Sequence, residues 1–121
     1  MITTYDDVPD AVVAFRASGE VTAADYESVL IPAVEEKLAR HEKISLLYHL
    51  GPDFTGFTAG AMWDDSKIGF KHLAAWDRIA LVSDVSWIRH MVRGMGFVIP
   101  AAIRVFDNDQ LDEAMRWVSS G

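Results

Sequence analysis

The sequence has no cysteine among its 121 residues. This absence excludes disulfide bonds, thiolate zinc sites and a cysteine nucleophile. No apolar run approaches the roughly 18 residues that are needed to span a bilayer. The first seven residues also lack the basic start and the apolar stretch of a signal peptide. We therefore expect a cytoplasmic protein without a transmembrane segment.

Basic residues are also scarce, with 11 Lys and Arg against 18 Asp and Glu and a net charge of -7. Phosphate binding needs clustered bases, so nucleic acid is not an expected partner. The charge is nevertheless uneven, because residues 66–104 hold six bases and two acids. This region is either a local anion-attracting patch or a set of solvated helix faces.

Strand-like and helical patterns alternate along the chain and predict the order β-β-α-β-α-β-α-β-α. Such an order indicates a mainly parallel sheet with an antiparallel hairpin at its edge. The chain length suits one domain over residues 1–121. Pro32 should kink the first helix near Leu30 and Ile31. The strands are predicted at 2–5, 11–17, 44–50, 77–83 and 101–106, and the helices at 23–40, from Thr58, from Ser86 as N-cap, and after a cap at Asn108 or Asp109.

Residues 48–65 combine glycine and proline residues that are typical of a loop with large apolar side chains. Gly51, Pro52 and Gly56 favour a loop from Gly51 to Thr58. The aromatic and thioether side chains in and after this segment suit an adaptable apolar pocket, but they suit core packing or a dimer contact equally well. The pocket interpretation gives a candidate ligand set with basic residues for an anionic head group: Phe54, Phe57, Met62, Trp63, Lys67, Ile68, Phe70, Lys71, Trp76, Trp87, Arg89, Met91 and Met95.

Catalytic and metal-binding patterns are weak. Asp64 and Asp65 are adjacent, so on a helix they point about 100° apart and are expected to be solvated in a first helical turn. The four histidines lack metal-ligand spacing, and nucleotide-binding or acyl-transfer motifs are missing. His49 lies at the carboxyl end of a predicted parallel strand, where a general base would need an orienting group such as Asp53. We expect no cofactor, no metal and no enzymatic activity.

Four segments together resemble the SpoIIAA-like family of the STAS group, namely SGEVTAADYE, DFTGF, WDDSKIGFKH and FDNDQLDEAMRW. The resemblance implies an α/β fold with a four- to five-stranded mixed, mainly parallel sheet and helices packed mainly on one side. Relatives of this fold include anti-sigma factor antagonists, which are protein switches phosphorylated on a serine at the start of a helix. In the matching segment this chain offers Thr55 and Thr58 but no serine.

Other relatives resemble the lipid-carrying Sec14 domain. We therefore expect a non-enzymatic binding domain for a small apolar or lipid-like molecule. A regulatory module that binds a protein partner is the alternative, with Thr55 and Thr58 as possible phosphoacceptors. A homodimer is expected in either case.

Overall fold

The centre of the protein is one five-stranded sheet in the order β1-β2-β3-β4-β5. The computed structural model describes residues 1–95 and 100–120, except for the side chains of Phe70, Leu73 and Met95. β1 runs antiparallel to β2, and all other neighbouring strands are parallel. The predicted mixed sheet with an antiparallel edge hairpin is confirmed. The strands are β1 Ile2–Thr4, β2 Val12–Val21, β3 Ile44–Phe57, β4 Trp76–Val82 and β5 Ala102–Phe106.

Helices follow the strands in the predicted order. They are α1 Ala23–Asp25, a π-helical segment Tyr26–Leu30, α2 Ile31–Leu38, α3 Ala59–Lys71, α4 Ser86–Met95 and α5 Leu111–Ser119, with short 3₁₀ turns at Leu73–Ala75 and Asn108–Gln110. Among the described residues, none of these helices has the length and apolar character that crossing a membrane requires.

The side chains of the sheet alternate between two apolar layers. On one face, Phe15 and Tyr48 pack with residues of the π segment, α2, α3 and α4. On the other face, Leu47 and Phe106 pack with α5 through Val118. This confirms the expectation that helices lie mainly on one side, because α5 alone covers the second layer.

The first helical stretch begins with a capping box and contains a wide turn. The Thr22 amide donates to Asp25 Oδ2 at 2.8 Å, and the Asp25 amide donates back to Thr22 Oγ1 at 3.3 Å. From Tyr26 to Leu30 the hydrogen bonds span five residues instead of four, since the Ile31 amide donates to the carbonyl of Tyr26. The irregularity predicted from Pro32 is therefore a π turn immediately before the proline, which lacks an amide donor.

The predicted loop from Gly51 to Thr58 is wrong, because β3 continues to Phe57. The extension pairs with the end of β2, where Gly19 lies opposite Phe54 and Val21 opposite Phe57. Register shifts on this stretch are accommodated by positive φ values at Gly19 (59°) and Gly56 (151°). Glycine thus marks bulges inside a long strand pair here, and the aromatic residues belong to that strand.

Two helix caps also differ from their predicted positions. Ser86 is the first residue of α4, not its N-cap. The turn before α5 is closed by Asp107, whose amide donates to the Gln110 side chain at 2.9 Å, not by Asn108 or Asp109. The sequence pattern also predicts that α4 ends at Gly94 and Gly96. The helix continues through Gly94 to Met95, and Gly96 lies outside the described residues.

Candidate functional site

A cavity of about 110 Å³ lies between the sheet and the helices of the first layer. It exists because apolar side chains of β3, β4 and β5, namely Leu46, Ile79 and Ile103, are only partly covered by helices. Its walls are almost entirely apolar. The lining residues are Leu30, Val34, Leu46, Tyr48, Asp65, Ser66, Ile68, Trp76, Ile79, Ala80, Leu81, Val92 and Ile103.

One end of the cavity carries a short chain of hydrogen bonds. The Tyr26 hydroxyl donates to Asp65 Oδ1 at 2.9 Å and lies 3.0 Å from the Tyr48 hydroxyl. A phenol has one proton, so Tyr48 is the donor to Tyr26. Burial raises the pKa of both phenols, and the Asp65 charge raises them further. Both tyrosines are therefore neutral at physiological pH.

Asp65 is the charged residue of the cavity lining. Asp65 is solvent-exposed, but its Oδ1 meets the hydroxyl of the fully buried Tyr26. Desolvation by the surrounding protein raises the pKa of the Asp65 carboxyl, while the hydrogen bond from Tyr26 opposes the increase. The carboxylate thus lies in a place where its charge is poorly compensated.

The expectation that Asp64 and Asp65 lie in a first helical turn is wrong, and the expected solvation holds for exposed Asp65 but not for Asp64. Both lie in the middle of α3, whose first turn contains no acid. Asp64 is buried, with Oδ1 4.0 Å from Lys67 Nζ. The two carboxylates diverge as adjacent helical residues must, but each meets protein atoms.

Of the predicted ligand set, the structure brings Trp76 and Ile68 to the cavity. Phe54 and Phe57 pack on each other with ring centroids 4.9 Å apart and border the first core layer. The side chains of Phe70 and Met95 lie outside the described residues. Four other members are exposed on α3 and α4, namely Met62, Trp63, Trp87 and Met91.

The three basic residues proposed for a head group already have partners. Lys71 Nζ lies 3.4 Å from Glu35 Oε1, and Lys67 faces Asp64. Arg89 donates to the carbonyl of Ser83 at 2.6 Å and pairs with Asp107 at 2.8 Å. Arg89 thereby ties α4 to the ends of β4 and β5.

The two candidate phosphoacceptors differ in their surroundings. Thr58 is the N-cap of α3, and its Oγ1 accepts from the Ala61 amide at 3.1 Å. The predicted cap is therefore confirmed. Thr55 is exposed on the extended part of β3.

His49 is buried near the carboxyl end of the parallel strands, as its position in the sequence indicated. Its Nδ1 lies 2.8 Å from the Tyr5 hydroxyl, and its Nε2 makes no hydrogen bond to the described residues. Asp53, the expected orienting group, instead accepts from Arg16 at 3.0 Å. Burial lowers the pKa of His49, and the charge of Arg16 acts in the same direction. The imidazole is thus a neutral buried group oriented by Tyr5.

A second hollow, of about 220 Å³, lies where the β1–β2 connection meets α2. Its lining includes the exposed residues Thr4, Asp6 and Glu36. We give the apolar cavity priority because ligand sites are mainly apolar with a few converging polar groups. The part of the chain that the structure describes contains no cluster of His, Asp and Glu suited to a metal ion.

Sequence reasoning missed the polar end of the cavity. Tyr26 and Tyr48 were read only as apolar members of a helix and a strand. A usable signal existed in α3, where Ala61, Asp65 and Ile68 recur at helical spacing, so the acid falls on the apolar stripe. Pairing that acid with a tyrosine of another element requires the fold.

Comparison with known proteins supports this architecture. The family model for SpoIIAA-like proteins matches residues 12–119. A similar solved structure is that of an uncharacterized protein of the DUF3478 family with a SpoIIAA-like fold from Shewanella loihica PV-4, determined at 2.25 Å resolution. It is 26% identical, with a TM-score of 0.77 over 97% of this chain and 93% of that chain. No curated protein matches significantly. The predicted resemblance is confirmed, and the chain belongs to the SpoIIAA-like family.

Proposed function

We propose that the protein is a non-enzymatic binding domain for a small apolar or lipid-like molecule. The observation that carries this proposal is the cavity, which has apolar walls and one polar end made by Asp65 and Tyr48. Ligand sites have this composition because apolar walls supply affinity and a few polar groups fix orientation.

The size of the cavity limits what it encloses. A cavity of roughly 150 Å³ lined by apolar side chains holds a benzene molecule. The 110 Å³ available here is smaller. It accommodates a short alkyl chain or a small ring, and a longer chain must extend through the open side of the cavity.

Binding is favoured over catalysis by the way the polar groups are used. Ser66, the hydroxyl of the lining that is not a phenol, donates to the Met62 carbonyl at 3.0 Å. The Tyr48 hydroxyl donates to the Tyr26 hydroxyl, so neither of these two lining hydroxyls donates to a base that would activate it.

The proposal is tested with n-hexanol as probe and with native mass spectrometry of the freshly purified protein. Val34 is fully buried and lines the cavity, so Val34→Phe should fill it. Val118→Phe is the matched control on the opposite face. We expect n-hexanol to raise the melting temperature of the parent and of any folded control, but not that of Val34→Phe. An equal change in the melting temperature of the parent and of Val34→Phe on addition of n-hexanol would contradict the proposal.

A protein-interaction module is the second candidate, because large apolar side chains on α3 and α4 are solvent-exposed, with Trp63 67% and Trp87 51% accessible. Exposed apolar surface is typical of protein interfaces, including the contact of a homodimer. Thr55→Asp would alter partner capture or subunit count if this part of β3 acts as a switch. Analytical ultracentrifugation of parent and variant tests this candidate, and an unchanged monomer would reject it.

A further inference from the structure

We propose that the cavity selects molecules that present a protonated amine to Asp65, with an apolar chain or ring packed against the rest of the lining. This inference rests on the proposed binding function and names the chemical class of its ligand. It differs from the anionic head group expected from the sequence, because the structure places an acid at the cavity and bases elsewhere.

The first step concerns the protons of the cavity hydroxyls, which are already donated within the protein. Tyr26 donates to Asp65, Tyr48 donates to Tyr26, and Ser66 donates to the carbonyl of Met62. None of these three hydroxyls has a second proton for a ligand. Tyr48 and Ser66 line the cavity, so their hydroxyls offer acceptor lone pairs to a bound molecule.

The second step concerns Asp65 itself. Oδ1 accepts from Tyr26, whereas Oδ2 has no hydrogen-bond partner among the described residues. Asp65 lines the cavity and remains accessible to water, so a ligand reaches it without movement of α3. A carboxylate oxygen next to apolar walls is best matched by a charged donor.

The third step concerns the sign of the charge. Lys67 is paired with Asp64, and Lys71 with Glu35. Arg89 is held by Asp107 and two backbone carbonyls, at Ser83 and Phe106. A carboxylate or phosphate ligand would meet the Asp65 charge and no available base of this set, whereas an ammonium group carries three donors and no acceptor.

The electrostatic condition of Asp65 agrees with this assignment. Desolvation by the surrounding protein raises the pKa of its carboxyl. The groups that face it are the neutral phenols of Tyr26 and Tyr48. A bound ammonium would supply the missing cation and lower that pKa.

The test compares three probes with the same six-carbon chain, namely n-hexylamine, n-hexanol and hexanoate, by isothermal titration calorimetry at pH 7.5. The first probe is cationic, the second neutral and the third anionic. We expect n-hexylamine to bind at least about tenfold more tightly than n-hexanol, as suits a hydrogen bond to a charged group. Hexanoate should bind most weakly.

Two variants assign the preference to Asp65. Asp65→Asn keeps an acceptor for Tyr26 but removes the charge, so it should erase the amine preference and leave n-hexanol binding within about threefold. Asp112→Asn is the control, since it removes an equal charge from an exposed position on α5. It should leave all three affinities unchanged. Circular dichroism checks that each variant is folded, and the three-probe comparison on the parent is decisive even if Asp65→Asn does not fold.

The outcomes separate the two proposals. If n-hexanol binds as tightly as n-hexylamine, if hexanoate binds most tightly, or if folded Asp65→Asn keeps the amine preference, the inference on ligand class is wrong while the binding function stands. If none of the three probes binds to the parent, both proposals fail. A preference for the amine that is lost only in Asp65→Asn supports both.

Discussion

Filling the cavity should stabilise the protein, and Val34→Phe is the sharpest way to test this. An unfilled cavity of 110 Å³ lowers the free energy of unfolding by about 2 to 3 kcal/mol, at about 24 cal/mol per Å³. Phenylalanine adds roughly 50 Å³ to the Val34 side chain and should recover roughly 1 kcal/mol, if the ring enters the cavity in a normal rotamer. In a chain of this length that gain corresponds to about 3 to 6 °C in melting temperature.

The matched control is Val118→Phe. Val118 is also buried, but it lies on α5, belongs to the second core layer together with Phe106, and does not line the cavity. The same enlargement in a well-packed core costs about 1 to 3 kcal/mol.

Urea denaturation of the three proteins gives the free energies of unfolding, with unchanged m-values as the check on two-state behaviour. Val34→Phe should exceed the parent in stability, and Val118→Phe should fall below it. Equal destabilisation by the two variants would mean that the space beside Val34 is filled in solution, and the reasoning from the cavity would be refuted.

Three further predictions concern other parts of the molecule. Asp65→Asn should be more stable than the parent at pH 8, and the difference should vanish below about pH 3.9, where the carboxyl is protonated in both the folded and unfolded states. The sign follows because a raised folded pKa means that stability is lost as pH rises through it; the opposite pH trend in urea titrations would contradict burial of the charge. Thr58→Ala should lose about 1 kcal/mol with the N-cap, whereas Thr58→Asp should retain a cap and fold with near-parental stability by the same assay. Gly56→Ala should cost about 1 to 3 kcal/mol because φ is 151° there, while Gly94→Ala in an open helical position should gain about 0.5 to 1 kcal/mol; equal effects in thermal melts would show that the strand bulge is not strained.

The fold was largely predictable because local patterns and the global fold agree. Strand-forming runs, the Thr22–Asp25 capping box and the Thr58 cap all lie where short-range chemistry places them. The main error concerned Gly51 to Phe57, where glycine and proline usually end a strand. The long β2 supplies pairing partners that no local pattern reveals, so tertiary contact overrides the turn signal.

The site was less predictable. Trp76 and Ile68 were predicted correctly because large apolar residues favour pockets. The same reasoning also selected Trp63 and Trp87, which are exposed and do not line the cavity. Asp64 and Asp65 were assigned to a first helical turn because two adjacent acids usually mark a solvated helix start, and the partner of Asp65 was missed. Its contact with Tyr26, 39 residues away in sequence, depends on how α3 packs across the π segment.

The π turn from Tyr26 to Leu30 also sets the rotational phase of the helix around its axis. In an α-helix, residues four apart are offset by about 40°, so a line of such residues drifts around the cylinder. A turn of the i to i+5 kind advances by roughly 80° per residue and rotates the line back by a similar amount. Tyr26, Leu30 and Val34, all buried, therefore project along nearly one direction, the first toward Asp65 and the other two into the cavity. Deleting one residue of this turn would leave a helix in place but rotate the residues that follow, so that different side chains would face the cavity.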